Sequence, residues 1–128
     1  MAGELDWDAS DTALVNAASV TDGSTNTSAA VDQDSKSASE VVVSAAYASG
    51  SPTEGLKVYL LRVADGSNYQ DIDDDPVLLT EMPYAGSATR QFTVTVYAED
   101  MRAFKVYCTN DSGVTVTLDI DYRQAVRA

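Results

Sequence analysis

Arg90-Gln91-Phe92-Thr93-Val94-Thr95-Val96-Tyr97-Ala98 alternates apolar and polar residues with a period of two. That period places Phe92, Val94 and Val96 on one side of an extended chain and Thr93, Thr95 and Tyr97 on the other. The same pattern returns in Arg102 to Thr109, with Phe104 and Val106 inward. It returns again in Val114 to Tyr122, where Val114, Val116, Leu118 and Ile120 alternate with Thr115, Thr117, Asp119 and Asp121. Asn110-Asp111-Ser112-Gly113 lies between the last two segments and has the composition of a turn. Three consecutive β-strands, each with one buried and one wet face, are therefore expected at the end of the chain.

Upstream, Leu56 to Ala64 is apolar on both faces, which predicts a central strand covered on both sides. Glu40 to Ala48 puts Val41, Val43, Ala45 and Tyr47 on one face, and Gly50-Ser51-Pro52 ends it, because proline cannot donate to a ladder. Thr12 to Val20 reads as a first strand, Ala29 to Val31 and Val77 to Thr80 as short ones, and Tyr69 to Ile72 as a brief pairing segment. Thr21 to Ser28 and Asp32 to Ser39 read as polar loops, and Ala98 to Ala103 can form a helical turn. Short strands at spacings near ten residues, each bounded by turn residues, predict an all-β fold. It is a single antiparallel β-sandwich of seven or eight strands, jelly-roll or immunoglobulin-like, over residues 11–128, preceded by an N-terminal arm at residues 1–10. A chain of 128 residues suffices for one such core without disulfides.

The chain holds 20 acidic and 8 basic residues, for a net charge of −12, and residues 1–35 contain acids but neither Lys nor Arg. Such a surface repels phosphates and anionic lipids, so neither nucleic acid nor membrane is an expected partner. No stretch has transmembrane length, and the first residues lack the basic and apolar regions of a secretory leader, so synthesis in the cytoplasm is expected.

Catalytic chemistry finds few tools here. With no histidine, neither a Ser-His-Asp nor a Cys-His arrangement can be built, and no Ser-x-x-Lys spacing occurs around Lys36, Lys57 or Lys105. Cys108 continues the inward run after Phe104 and Val106 and reads as a small buried hydrophobe. Asp71-Ile72-Asp73-Asp74-Asp75 brings carboxylates together but lacks the glycine and distal glutamate of an EF-hand loop. It reads as a solvated loop. No catalytic, cofactor or metal site is predicted, and the protein is expected not to be an enzyme.

Recognition falls instead to surfaces. Leu5 and Trp7 stand among Glu4, Asp6 and Asp8, and a large rigid indole on an acidic arm suits an anchor to a partner or a strand docked on its own domain. Asp119 and Asp121, with Glu99 and Asp100, read as charges protecting exposed strand edges. A carbohydrate-binding sandwich is an alternative, with Tyr47, Tyr69, Tyr84 and the acidic loop as its candidate surface.

The stretches Ala88-Thr89-Arg90-Gln91-Phe92-Thr93-Val94, Met101-Arg102-Ala103-Phe104-Lys105-Val106-Tyr107 and Thr109-Asn110-Asp111-Ser112-Gly113-Val114-Thr115-Val116 resemble tailed-bacteriophage virion proteins. Small head-decoration, or cement, proteins are the nearest role, and Glu40 to Val63 extends the likeness. The resemblance implies a non-enzymatic sandwich, with no cofactor, that sits on the outer capsid surface of the virion. There it would bind the major capsid protein, commonly as a trimer, and stabilise the shell. A phage tail or neck subunit would share this fold.

Overall fold

The computed structural model describes residues 4–65, 68–74 and 76–127. Among the described residues, eleven strands form two antiparallel sheets. In the first, β11 (Val116–Arg127) and β5 (Ala38–Tyr47) are central and β9 (Thr89–Tyr97) is one border. The other border is shared end to end by β1 (Leu5–Trp7) and β2 (Thr12–Val20), both paired to β11. In the second sheet, β10 (Ala103–Asn110) and β6 (Lys57–Asp65) are central. β3 (Ser24–Thr27) and β4 (Val31–Asp32) share the outer side of β10. On the far side of β6 lie β7 (Asn68–Tyr69) and β8 (Val77–Glu81). Eleven strands, more than the seven or eight expected, thus fill eight positions, four per sheet, because short strands share places end to end.

The pairing resolves the topology that periodicity leaves open. β2 pairs with β11, β3 and β4 with β10, β5 with β9, and β6 with β8, so the chain is one long antiparallel hairpin rolled across two layers. That is a jelly roll. Its consequence for β11 corrects an expectation: the last strand is flanked on both sides, so Asp119 and Asp121 protect no edge. Asp119 has a different task. Its carboxylate accepts the Ala17 N–H at 2.8 Å, where β2 bulges and Ala17 takes a left-handed φ of 49°.

Alternation sets the interior. Val41, Val43, Ala45, Val116, Leu118 and Ile120 point from the first sheet onto Val58, Leu60, Phe104, Val106 and Cys108 of the second, and all are buried. Each aliphatic side chain so buried contributes roughly 1.5–3 kcal/mol of transfer free energy. Leu14 and Val15 on β2 and Phe92 and Val94 on β9 pack partly against this core from the borders, and Tyr122 does so from β11.

Buried polar groups close the gaps between strands. Ser28, which falls between β3 and β4, accepts the Val106 N–H on its hydroxyl at 2.9 Å, so the ladder on β10 continues through a side chain. Gln33 donates to the Met101 carbonyl at 2.8 Å and accepts from Ser39 Oγ at 2.7 Å, fixing the loop between β4 and β5. The segment predicted as the loop Thr21 to Ser28 therefore contains β3. Its four residues are polar, yet register opposite Tyr107 to Asn110 gives their backbone partners.

Candidate functional site

Each sheet has a border strand whose outer backbone faces away from the sandwich. On one side β2 and β3 follow each other through a tight turn at Asp22 and Gly23 and touch, closing the two layers together. The opposite borders are β9 in one sheet and β8, with β7, in the other. Along this side lie four of the five strongly exposed large apolar residues among those described: Val77 at 42%, Leu78 at 52%, Tyr84 at 43% and Tyr97 at 45%. Val77 to Ala98 also contains a single acid, Glu81, and a single base, Arg90, in a chain whose net charge is −12. An uncovered border of neutral, apolar character is a template for another chain. The charge gap was readable in the sequence, but its position on two open borders was not.

Just beyond β8 the border is tied to the segment before β6. Met82, buried between β8 and β9, donates its N–H to the Leu56 carbonyl at 2.8 Å. Gly55 stands so close that a Cβ there would meet the Met82 carbonyl oxygen at 1.7 Å.

The residues singled out from sequence are dispersed. Leu5 and Trp7 are not a free tether in this structure: they pair as β1 with Arg127 and Ala125 of β11 and are half-buried. The Arg123 guanidinium lies 5.1 Å from the centre of the Trp7 ring and its Nε donates to Glu40 Oε1 at 3.0 Å. Asp8 completes the attachment, donating its N–H to the Gln124 carbonyl and accepting the Gln124 N–H on its carboxylate. Tyr47, expected on a carbohydrate-binding surface, is 3% exposed and belongs to the core, where its hydroxyl accepts the Leu56 N–H. Burial raises its pKa. Tyr69 and Tyr84 are on the surface but on different parts of it, Tyr69 on β7 and Tyr84 in the β8–β9 connection.

In the acidic loop, Asp71 accepts the Asp73 N–H and Asp74 accepts the Asp71 N–H, so these carboxylates close their own 3-10 turn at Ile72–Asp74. Among the described residues no three potential ligands gather as for a metal ion. Asp75 lies outside the described residues. Cys108 is fully buried, and desolvation pushes its thiol pKa up to about 12, so it is no nucleophile.

A second surface takes up part of the carbohydrate-binding expectation: Tyr69 and Asp71 line a groove on the outer face of the β10–β6 sheet, under β7 and the 3-10 turn, together with Leu61, Lys105 and Tyr107, which the sequence did not single out for it. Leu61 forms its floor and Tyr107, Tyr69 and Lys105 its walls. Its volume is about 350 Å³.

No protein-family model matches the chain, and no curated protein matches it significantly. Solved structures do. One comes from Bacillus endospore appendages, a family of disulfide-linked pili, at 11% identity and a TM-score of 0.44, over 98% of this chain and 94% of that one. Another is a CBM4 structure at 10% identity and a TM-score of 0.44, covering all of this chain and 77% of its own.

Proposed function

We propose that this protein is a non-enzymatic structural subunit of a tailed-phage virion, a head-decoration protein that associates with copies of itself through the β8–β9 border and binds the outer capsid surface. The observation that carries the assembly part is that border: unpaired backbone on both sheets, four exposed large apolar residues, and almost no charge in a strongly acidic chain. A second copy of the chain is the occupant that fits. Two copies repel wherever their acidic surfaces approach, and Val77 to Ala98 is the stretch where that repulsion is least. Closed rotational symmetry would cover these borders in every copy at once, and a trimer does so around one axis. The phage part rests on the sequence resemblance.

The test is the solution mass of the purified protein together with its stoichiometry on particles of its source stripped of it. A trimer that saturates the shell at a fixed, symmetry-related number is expected. Leu78→Lys, placing charge on the border, should give a folded monomer with reduced occupancy. A wild-type monomer that leaves particles bare would overturn the reading, while rings or tubes would make it a tail or neck subunit.

A further inference from the structure

We infer that the groove on the outer face of the β10–β6 sheet is a binding site for a neutral oligosaccharide, with one sugar ring seated against Tyr107. The inference is independent of the assembly reading.

Register builds the site. Val106 and Leu60 point into the core, so their neighbours Lys105, Tyr107, Tyr59 and Leu61 point outward. Thr27 lies opposite Tyr107, Tyr107 opposite Tyr59, and Tyr59 opposite Leu78, which lays an aromatic and apolar row across four adjoining strands to the sheet border. The Tyr59 and Tyr107 rings meet edge to face, with centroids 6.0 Å apart and planes at 63°. One row further along, Leu61 is only 4% exposed although it faces outward, because β7 and the turn after it fold over that part of the sheet. Gln70 holds this cover: its N–H donates to the Arg62 carbonyl and its Oε1 accepts the Arg62 N–H. The result is a built recess.

Its chemistry selects the occupant. Lys105, whose ammonium lies 4.7 Å over the Tyr69 ring, and Asp71 contribute one charge of each sign, so the lining carries no net charge and favours neither an anion nor a cation. Leu61 and the tyrosine rings favour a ligand with a C–H face. Among the described residues no hydrogen bond engages the hydroxyls of Tyr69, Tyr107 and Thr27 or the side-chain amide of Asn68, which leaves donors and acceptors for a polyhydroxylated ligand. A sugar ring combines these three properties. The volume of about 350 Å³ suits a small part of such a chain, and Tyr59, edge to face with Tyr107, offers a neighbouring unit a further contact.

Amide chemical shifts of isotope-labelled protein, titrated with neutral gluco-, manno-, galacto- and chito-oligosaccharides, test this. Saturable shifts centred on Asn68 to Asp71 and Lys105 to Tyr107 are expected with at least one of them. Tyr107→Ala should weaken that binding about tenfold. Asn68→Ala, an exposed rim substitution that leaves the sheet intact, should weaken it about threefold. Tyr84→Ala, away from the groove, should leave it unchanged. No saturable shift with any of the four, shifts indifferent to both groove variants, or a groove that answers only to charged sugars or to peptides would each overturn the assignment.

Discussion

Asn110 is fully buried at the end of β10 and spends both ends of its amide: Nδ2 donates to the Val20 and Val114 carbonyls at 2.8 Å each, and Oδ1 accepts from the Ser112 N–H and hydroxyl. One side chain thereby ties the end of β2 to the turn before β11. Asn110→Ala leaves several of these groups unsatisfied, and since each buried orphan costs about 1–3 kcal/mol, a loss near 3 kcal/mol is expected in denaturant melts. The sequence marks Asn110 only as a turn residue, because nothing local shows that Val20 will lie beside it. Cys108 was legible, since its inward place follows from Phe104 and Val106. Its burial has a pH consequence. The thiol rises from 9.0 to about 12 on folding, and Tyr47 rises above 10.0 for the same reason of desolvation. Both folded-state values exceed the unfolded ones, so the unfolded chain loses protons first as pH climbs. Stability is constant below about pH 9 with respect to these two groups and falls from there toward pH 12. In Cys108→Ala the thiol's share of that alkaline slope should vanish, measured as the melting midpoint against pH.

Among the elements, those with two-residue periodicity over eight or more positions were readable: β5, β9, β10 and β11, with β6 marked as central by its apolar run. The readable signal in each is burial of one face. β3 was not readable, because Ser24 to Thr27 owes its conformation to the backbone of β10 and not to an apolar face. The tyrosine row was invisible for a related reason: Tyr59 and Tyr107 are far apart in sequence, and only strand register makes them neighbours. The arm was half readable. Trp7 is a docking residue, but its partner here is Arg123 of the same chain. Trp7→Ala should therefore cost only about 1 kcal/mol in the isolated protein, the scale of a partly exposed cation–π contact. If the decoration reading holds and β1 also faces a neighbour, particle occupancy should fall by more than this stability loss accounts for; occupancy that tracks stability alone would assign Trp7 to the domain itself.

At the scale of the whole molecule, the rolled hairpin pairs the acidic early strands with the last two, β2 with β11 and β3 and β4 with β10, and leaves the middle of the chain on the opposite borders. Acids concentrate in residues 1–35 and the Asp71 to Asp75 loop, while the β8–β9 border is nearly neutral. Association through that border is a contest between apolar burial, which salt leaves intact or strengthens, and repulsion between bodies of charge −12, which salt screens. Raising salt from about 0.1 M to about 1 M shortens the screening length from about 10 Å to about 3 Å, so the repulsive side weakens and the apolar side does not. The dissociation constant measured by sedimentation equilibrium should consequently fall as salt rises. Leu78→Lys should remain monomeric across the same range, because it removes the attraction that screening would otherwise reveal. The opposite trend, with copies separating as salt increases, would mean that ion pairs elsewhere hold them together. In that event the interface would have to include basic residues such as Arg123 or Arg127 of β11, which stand away from the neutral border, and the β8–β9 side would need another occupant.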